Sequence, residues 1–268
     1  MSLAHLSRGA VWLQALSGQD GLRGDLPASI RVADAPLGDQ PARYLTLVPD
    51  AHNPFPRARQ GEAGLFEGWG LAQVVDEVVQ ADAGAAVKRA LVAIVDVPSQ
   101  AYGRREEALG IHQALAAAVD SYARARQAGH PVISLLVGKA MSGGFLAHGY
   151  QANRMLALRD PGVMVHAMGK ESAARITLRT VEALEALAAE NPPMAYDVDS
   201  YAALGLLWKT LDVDSVLEPS ETDLARVRDG LQLALADIAG APRDLSGRLA
   251  SPLRAASRRV RERLREQW

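Results

Sequence analysis

The stretch PVISLLVGKAMSGGF, residues 131–145, decides the fold of this 268-residue chain. Its first part, Val132–Val137 (VISLLV), is apolar except for Ser134, which is typical of a strand buried on both faces. A similar run, Ala90–Val97, precedes it, and Arg104–Gln127 between them has helical composition and ends before Gly129-His130-Pro131, where glycine caps and proline terminates a helix. The β-α-β order predicts a parallel sheet with a crossover helix.

Weaker signals extend this unit in both directions. Ala35–Gly70 is rich in proline and glycine and predicts one strand, Tyr44–Val48, followed by a long loop, a kind of segment that is usually functional or disordered. We predict helices at Leu71–Gln80, Phe145–Asn153, Glu171–Thr177, Thr180–Glu190 and near Asp199–Leu204, and short strands at Met155–Leu158 and Val163–His166.

The end of the chain, Leu245–Trp268, predicts a basic amphipathic helix. Apolar residues recur there at spacings of four and seven, among eight arginines between Arg243 and Arg265. Two interpretations stay open. Such a helix docks on its own core or on a sister subunit with a solvated arginine face, or it recognises an acidic partner.

Composition excludes several classes of protein. Apolar residues make up 49% of the chain and charged residues 22%, a globular balance, and the net charge of −2 argues against nucleic acid as a partner. The absence of cysteine excludes disulfides and thiolate chemistry. The apolar stretch at the start is too short and too interrupted for a signal peptide or a membrane span, so we expect a cytoplasmic protein with no membrane partner. No histidine or carboxylate spacing fits a metal, and we predict no metal site.

The segment from Gly138 to Gly144 is the candidate site. It joins the strongest strand to a helix, whose first N–H groups lack intrahelical partners and whose dipole favours negative charge. Gly143 and Gly144 allow close approach to these amides, which predicts a site for a developing oxyanion, with Gly138 and Met141 as substrate-binding neighbours. Alternatively, the glycines merely permit a tight turn and close packing of helix on sheet.

The residues around this motif carry a resemblance to a known family. PVISLLVGKAMSGGFLAHGYQANRMLAL resembles the strand–GxxxSGG–helix–strand signature of crotonase-fold carboxyltransferases and decarboxylases. Together with DVPSQAYGRREEALGIHQALA, DPGVMVHAMGKESAARIT and YAALGLLWKTLDVDSVLEP it resembles the gamma subunits of malonate decarboxylase, from about Tyr44 to Ala239.

This resemblance implies the fold class and its limits along the chain. The expected fold is α/β, a crotonase (ClpP-like) β-β-α superhelix with an N-terminal extension and C-terminal helices. We expect the extension at residues 1–40, the crotonase-fold domain at residues 41–240 and the basic amphipathic helix at residues 241–268.

The resemblance also implies an activity and partners. The implied activity is that of a biotin-independent malonate decarboxylase. In such an enzyme this chain and a beta subunit of the same fold would convert malonyl to acetyl on an acyl-carrier subunit. No cofactor is expected on this chain itself, because the substrate arm is a phosphoribosyl-dephospho-CoA-type group of the acyl-carrier subunit. An acyl-carrier transferase subunit is a further expected partner. The amides of Gly143 and Gly144 would form one of two oxyanion sites. Whether that site holds the thioester oxygen, which becomes the enolate oxygen, or the departing carboxylate stays open.

Three side chains have competing interpretations. Ser142 and His166, with Asp212 or Asp214, also resemble the set of a Clp-type serine peptidase, although Ser142 otherwise caps the helix. His166 is a candidate proton donor to the enolate carbon or a structural histidine. Lys170 is a candidate ligand for a carboxylate or phosphate, or an exposed lysine. A third hypothesis is non-catalytic: a scaffold subunit that completes the partner's site.

Overall fold

The computed structural model describes residues 7–268. The first six residues, which belong to the predicted N-terminal extension, lie outside the described residues. One sheet runs through the described part, in the order β1-β2-β3-β4-β5-β7, with β6 paired to the end of β4. Its strands are β1 (Ile30–Leu37), β2 (Gln40–Leu47), β3 (Ala90–Val97), β4 (Val132–Met141), β5 (Arg154–Leu158), β6 (Met164–His166) and β7 (Lys209–Leu211).

Ten α-helices accompany the sheet in residues 7–268. They are α1 (Arg8–Ser17), α2 (Leu65–Ala81), α3 (Arg104–Ala108), α4 (Ile111–Gln127), α5 (Ser142–Ala147), α6 (Lys170–Thr177), α7 (Val181–Glu190), α8 (Val198–Ala203), α9 (Glu221–Ala239) and α10 (Ala255–Gln267). None of these helices combines the length and the apolar character that a bilayer crossing demands.

The two apolar runs form the centre of the sheet, as predicted. β3 and β4 pair in parallel, and β2 and β5 flank them, again in parallel. Most side chains of β3 and β4 are buried, which explains why both strands are predominantly apolar. β4 is longer than predicted, because it continues through Gly138 to Met141 after a register shift between Val95 and Val97 of β3.

Three predicted helices differ from the structure. Arg104–Gln127 is not one helix: it breaks into α3 and α4 at Gly110, whose φ of 83° only glycine adopts readily. The helix predicted at Phe145–Asn153 is wrong beyond Ala147, because His148 is extended and Gly149 turns with a φ of 108°. The helix predicted from Leu71 begins earlier, at Leu65, inside the segment that we expected to be a loop.

The C-terminal helix is also shorter than predicted. α10 begins only at Ala255, after two short 3₁₀ segments, Ser246–Leu249 and Pro252–Arg254. No residue of α10 is buried, so the interpretation that the helix docks on its own core is wrong for Ala255–Gln267. The predicted residues before it do contact the rest of the chain, since Arg248 Nη1 donates to Tyr150 O at 2.7 Å. Its contact with another subunit or with an acidic partner stays a prediction.

The N-terminal segment belongs to the same core as the sheet. β1, which the sequence analysis missed, pairs antiparallel with β2, and Trp12 of α1 is fully buried, with its Nε1 donating to Val216 O at 2.9 Å. The hairpin between β1 and β2 crosses the expected boundary at residue 40. The division of the chain at residues 40 and 240 stays a prediction.

A buried carboxylate holds the long loop before α2. Glu67 is 1% exposed, and its Oε1 accepts hydrogen bonds from Ser29 Oγ (2.5 Å) and Asn53 Nδ2 (2.8 Å), while its Oε2 accepts from Gly64 N–H (3.0 Å). Burial raises the pKa of Glu67, and these donors partly offset that effect. Glu67 thereby ties two points of the loop, Asn53 and Gly64, to the first turn of α2.

The same loop reaches the segment that follows β3. Ala63 N–H donates to Ser99 O at 3.0 Å, and Ala101 N–H donates to Ala63 O at 2.8 Å. The backbone on either side of Gln100 is therefore tied to the loop that Glu67 holds.

Candidate active site

The turn from β4 into α5 has an unusual backbone. Ser142, the first residue of α5, has a φ of 61°, and the only other non-glycine residue with a positive φ in residues 7–268 is Leu178. Such a conformation costs about 1 kcal/mol or more for a residue with a side chain, and strain of this kind clusters at functional sites. Met141 rather than Ser142 occupies the N-cap position, so the structure does not bear out Ser142 as the helix cap.

The three glycines of the motif all face the chain that leaves β3. A Cβ atom at Gly138 would collide with the Asp96 carboxylate, and one at Gly144 would collide with the Ser99 carbonyl oxygen and with Val97. Close packing of two segments therefore explains Gly138 and Gly144. This was the alternative that the sequence left open.

Gly143 differs from the other two glycines. It is half-buried rather than buried, and its N–H donates to the side-chain oxygen of Gln100, Oε1, at 2.5 Å. Since that oxygen belongs to an amide carbonyl, the N–H of Gly143 is directed at a position where a carbonyl oxygen fits. Gln100 was missed by the sequence analysis, because no local pattern indicates that it contacts a residue 43 positions away.

His166 lies beside this turn. It ends β6 and pairs in register with Met141, the residue before Ser142. Its Nδ1 is 3.0 Å from Met168 O and 3.2 Å from Met168 N, so Met168 engages that nitrogen in either tautomer. Its ring stacks on Tyr196 with centroids 3.9 Å apart, and burial lowers the pKa of His166 below its usual value, which favours the neutral ring at pH 7.

The structure does not assemble a peptidase triad from the residues that it describes. Ser142 makes no hydrogen bond with His166, whose Nδ1 is used by Met168. Asp212 instead pairs with Arg159 Nε at 3.0 Å, and the His166 side chain bonds to Met168 rather than to Asp212 or Asp214.

Lys170 and Met141 occupy different surroundings. Lys170 Nζ pairs with Glu185 Oε1 at 2.6 Å and lies 5.5 Å from the Tyr196 ring centroid, on the wall of a cavity of about 650 Å³ whose lining does not include Gly143. Met141 is buried, with 4% of its surface exposed. The turn brings together Met141, Ser142, Gly143 and His166. Lys170 is not part of the turn, but it shares a neighbour with His166, because both lie against the Tyr196 ring.

His148, which directly follows α5, is a buried neutral histidine. Its Nε2 is 3.0 Å from Ile94 O, which can only accept, so Nε2 carries the hydrogen. Its Nδ1 then accepts from Tyr122 Oη at 3.1 Å. Burial lowers the pKa of His148 to about 4.

We expect this histidine to make stability depend on pH. Because its folded-state pKa lies below the ordinary 6.5, the unfolded chain binds more protons between pH 6.5 and 4. The contribution of the neutral His148 to the free energy of unfolding is fully present above pH 6.5. It is lost as the pH falls to about 4, and the loss amounts to about 3 kcal/mol. Urea unfolding of the wild type and of His148→Gln across this range should show the smaller pH dependence in the variant. His112→Gln, at an exposed position of α4, is the control, and equal slopes in the wild type and His148→Gln would contradict the assignment.

No group of histidine, aspartate and glutamate side chains in residues 7–268 has the geometry of a metal site. The donors at the turn are backbone amides, the kind of group that stabilises an oxyanion.

The largely parallel sheet and the GxxxSGG turn define a class of protein, the crotonase-fold proteins. A chain of transcarboxylase 12S shares this fold, with a TM-score of 0.66 over 90% of this chain and 44% of that chain, at 19% identity. A model of the family described as MdcE, malonate decarboxylase gamma subunit, matches residues 58–268. The chain therefore belongs to the malonate decarboxylase gamma subunit family.

Similar proteins agree with this assignment. The chain is 71% identical to a chain of a Pseudomonas malonate decarboxylase hetero-tetramer in complex with coenzyme A, with a TM-score of 0.95, and 70% identical to a chain of a Pseudomonas MdcD-MdcE hetero-dimer, with a TM-score of 0.92. Both alignments cover 98% of this chain and 100% of the other. It is also 36% identical over 178 residues to the malonyl-S-ACP:biotin-protein carboxyltransferase MADD of Malonomonas rubra, and the match covers 65% of this chain and 61% of the relative.

Proposed function

We propose that this chain, paired with a beta subunit of the same fold, decarboxylates malonyl held as a thioester on an acyl-carrier subunit and leaves an acetyl thioester. Family membership and the similarity to the Pseudomonas hetero-dimer support the pairing. The observation that carries the proposal is the half-buried Gly143 N–H, which is directed at a carbonyl oxygen beside a strained turn.

The reaction places charge where such a donor acts. The bond between the methylene and carboxylate carbons breaks, carbon dioxide leaves, and the electron pair forms an enolate whose negative charge lies largely on the thioester oxygen. A proton then adds to the carbon. A fixed N–H that meets this oxygen stabilises the transition state more than the neutral substrate, which is what acceleration requires. We assign this role to Gly143, while Gly144 keeps the turn close to Ser99.

The neighbouring side chains have secondary roles in the proposal. His166 is the titratable group beside the turn and our candidate for the proton donor to the enolate carbon; its lowered pKa makes its cation a stronger but less populated acid. Ser142 and Met141 shape the turn, and Gly138 admits Asp96. A substrate carboxylate or phosphate would have to compete with Glu185 for Lys170.

The carrier arm and the further partners are proposals as well. We propose a phosphoribosyl-dephospho-CoA-type arm on the acyl-carrier subunit, an acyl-carrier transferase subunit in the complex, no biotin, no cofactor on this chain and a cytoplasmic location. The malonyl-S-ACP named for MADD and the coenzyme A in the Pseudomonas complex support a thioester substrate on such an arm.

The test is co-expression of this chain with its beta subunit and measurement of carbon dioxide released from a malonyl thioester of the carrier. We expect release together with an equal amount of acetyl thioester. Ser142→Ala should keep most of this activity, and a fluorophosphonate should not label Ser142. Hydrolysis to free malonate without carbon dioxide release, by an intact complex whose Ser142 is labelled, would favour a serine hydrolase instead.

A further inference from the structure

The amide side chain of Gln100 occupies the donor that the proposed reaction needs. Its Oε1 accepts from Gly143 N–H at 2.5 Å. The backbone around Gln100 is held by the pairing of Ala101 with Ala63 and by Tyr102 N–H, which donates to Gln100 O at 3.0 Å. The backbone is therefore fixed, and only the side chain of this half-buried residue is free to leave the Gly143 amide.

The position next to the Gly143 N–H can hold one acceptor oxygen at a time, for steric reasons as well as for hydrogen bonding. A Cβ atom at Gly143 would lie 2.8 Å from Gln100 Oε1, so the absence of a side chain there admits the oxygen. One N–H offers one hydrogen, and two acceptors cannot both align with it at good geometry. A substrate oxygen and Gln100 Oε1 therefore compete for the same position.

We propose that Gln100 is an internal acceptor: it occupies the Gly143 N–H in the free protein and is displaced by the thioester oxygen of the substrate. This inference rests on the proposed function, because it takes Gly143 as the donor to that oxygen. Displacement breaks the hydrogen bond before the substrate makes its own. The bound substrate and the transition state both bear this cost, so Gln100 raises KM and leaves kcat unchanged.

The kinetic test uses the assembled complex and a malonyl thioester of the carrier. Gln100→Ala removes the competitor and leaves at most a water, which returns to solvent when displaced. KM should fall about fivefold, with kcat within twofold of the wild type; fivefold corresponds to about 1 kcal/mol at 1.4 kcal/mol per tenfold. Gln100→Asn keeps the amide but, being one methylene shorter, moves its oxygen away from the Gly143 N–H, so it should also lower KM. It is the substitute variant if Gln100→Ala does not assemble with the beta subunit.

A charged acceptor should act in the opposite direction. Gln100→Glu places a carboxylate at the same N–H, and its charge-assisted hydrogen bond is about twice as strong as a neutral one. KM should rise at least tenfold. Gln113→Glu adds the same charge at an exposed position of α4 and should leave KM unchanged. A merely structural role for Gln100 would make Gln100→Ala and Gln100→Glu change KM in the same direction, which would overturn the proposal.

A readout that needs no turnover separates this proposal from the proposed function. Hydrogen exchange of the Gly143 amide should be faster in Gln100→Ala than in the wild type, whichever reaction the complex performs. Equal exchange rates overturn the internal acceptor even in an active decarboxylase. A wild-type complex that releases no carbon dioxide overturns the proposed function, and with it the displacement of Gln100 by this substrate. Faster hydrogen exchange of the Gly143 amide in Gln100→Ala would still show that Gln100 occupies that amide.

Discussion

Gly143→Ala is expected to lower the kcat of the assembled complex by about 10²–10³, the usual effect of losing one oxyanion donor. The added Cβ would lie 2.8 Å from the oxygen that the Gly143 N–H now holds, so any acceptor at that position is pushed away. Folding should survive, because the obstructing atom is the end of the flexible Gln100 side chain. Gly144 is a poorer probe, since its Cβ would collide with the backbone carbonyl of Ser99.

The measurement is carbon dioxide release by complexes purified in equal yield. Gly84→Ala is the matched control, because a Cβ at this exposed glycine meets nothing within 4 Å. An assembled Gly143→Ala complex with a kcat within threefold of the wild type would remove Gly143 from the chemistry. It would favour the hypothesis that this chain is a scaffold that completes the partner's site.

Glu67→Ala is expected to lower the free energy of unfolding by about 3 kcal/mol. The change leaves three buried donors, from Ser29, Asn53 and Gly64, without their acceptor, and each such loss costs about 1–3 kcal/mol before relaxation or water entry. Because the loop held by Glu67 pairs with Ser99 and Ala101, activity should fall before the protein unfolds globally.

Urea unfolding followed by circular dichroism measures this loss. Glu67→Gln keeps an acceptor for Ser29 and Asn53 but presents N–H groups to Gly64, so it should be of intermediate stability. Glu107→Ala, on the exposed face of α3, controls for the removal of a carboxylate and should change the free energy of unfolding by less than about 0.5 kcal/mol. Equal stability of Glu67→Ala and the wild type would show that water replaces the carboxylate without cost.

Elements with strong local signals were predicted well. β3 and β4 followed from apolar runs that reflect burial on both faces, and α7 begins after the predicted Thr180, whose side chain caps it. The longest helix of the described part, α9, was missed although Ser220 and Asp223 form a capping box at its start. β1 and β7 were missed for another reason: they are edge strands, and β7 has only three residues.

The strand-to-helix turn of the candidate site was predicted, but the different surroundings of its glycines were not. The motif located the turn at Gly143 and Gly144, since consecutive glycines after a buried strand are a local signal. It did not separate Gly143, which has an accepting oxygen on its N–H, from Gly144, which packs against Ser99. A separate segment, Gly169-Lys170-Glu171, suggested Lys170 as an anion ligand, and the structure pairs this lysine with Glu185 of the next helix.

The sequence by itself determined the order of buried strands, the crossover between them, the strand-to-helix turn and the family, because each of these depends on patterns of residues that are neighbours along the chain. Only the tertiary structure decided that Gln100 occupies the Gly143 amide, that the His166 ring stacks on Tyr196 beside the turn, and that Asp212 pairs with Arg159. These relations depend on register and side-chain distances between distant segments. No local pattern encodes such distances, since hydrogen bonds are decided within a few tenths of an ångström.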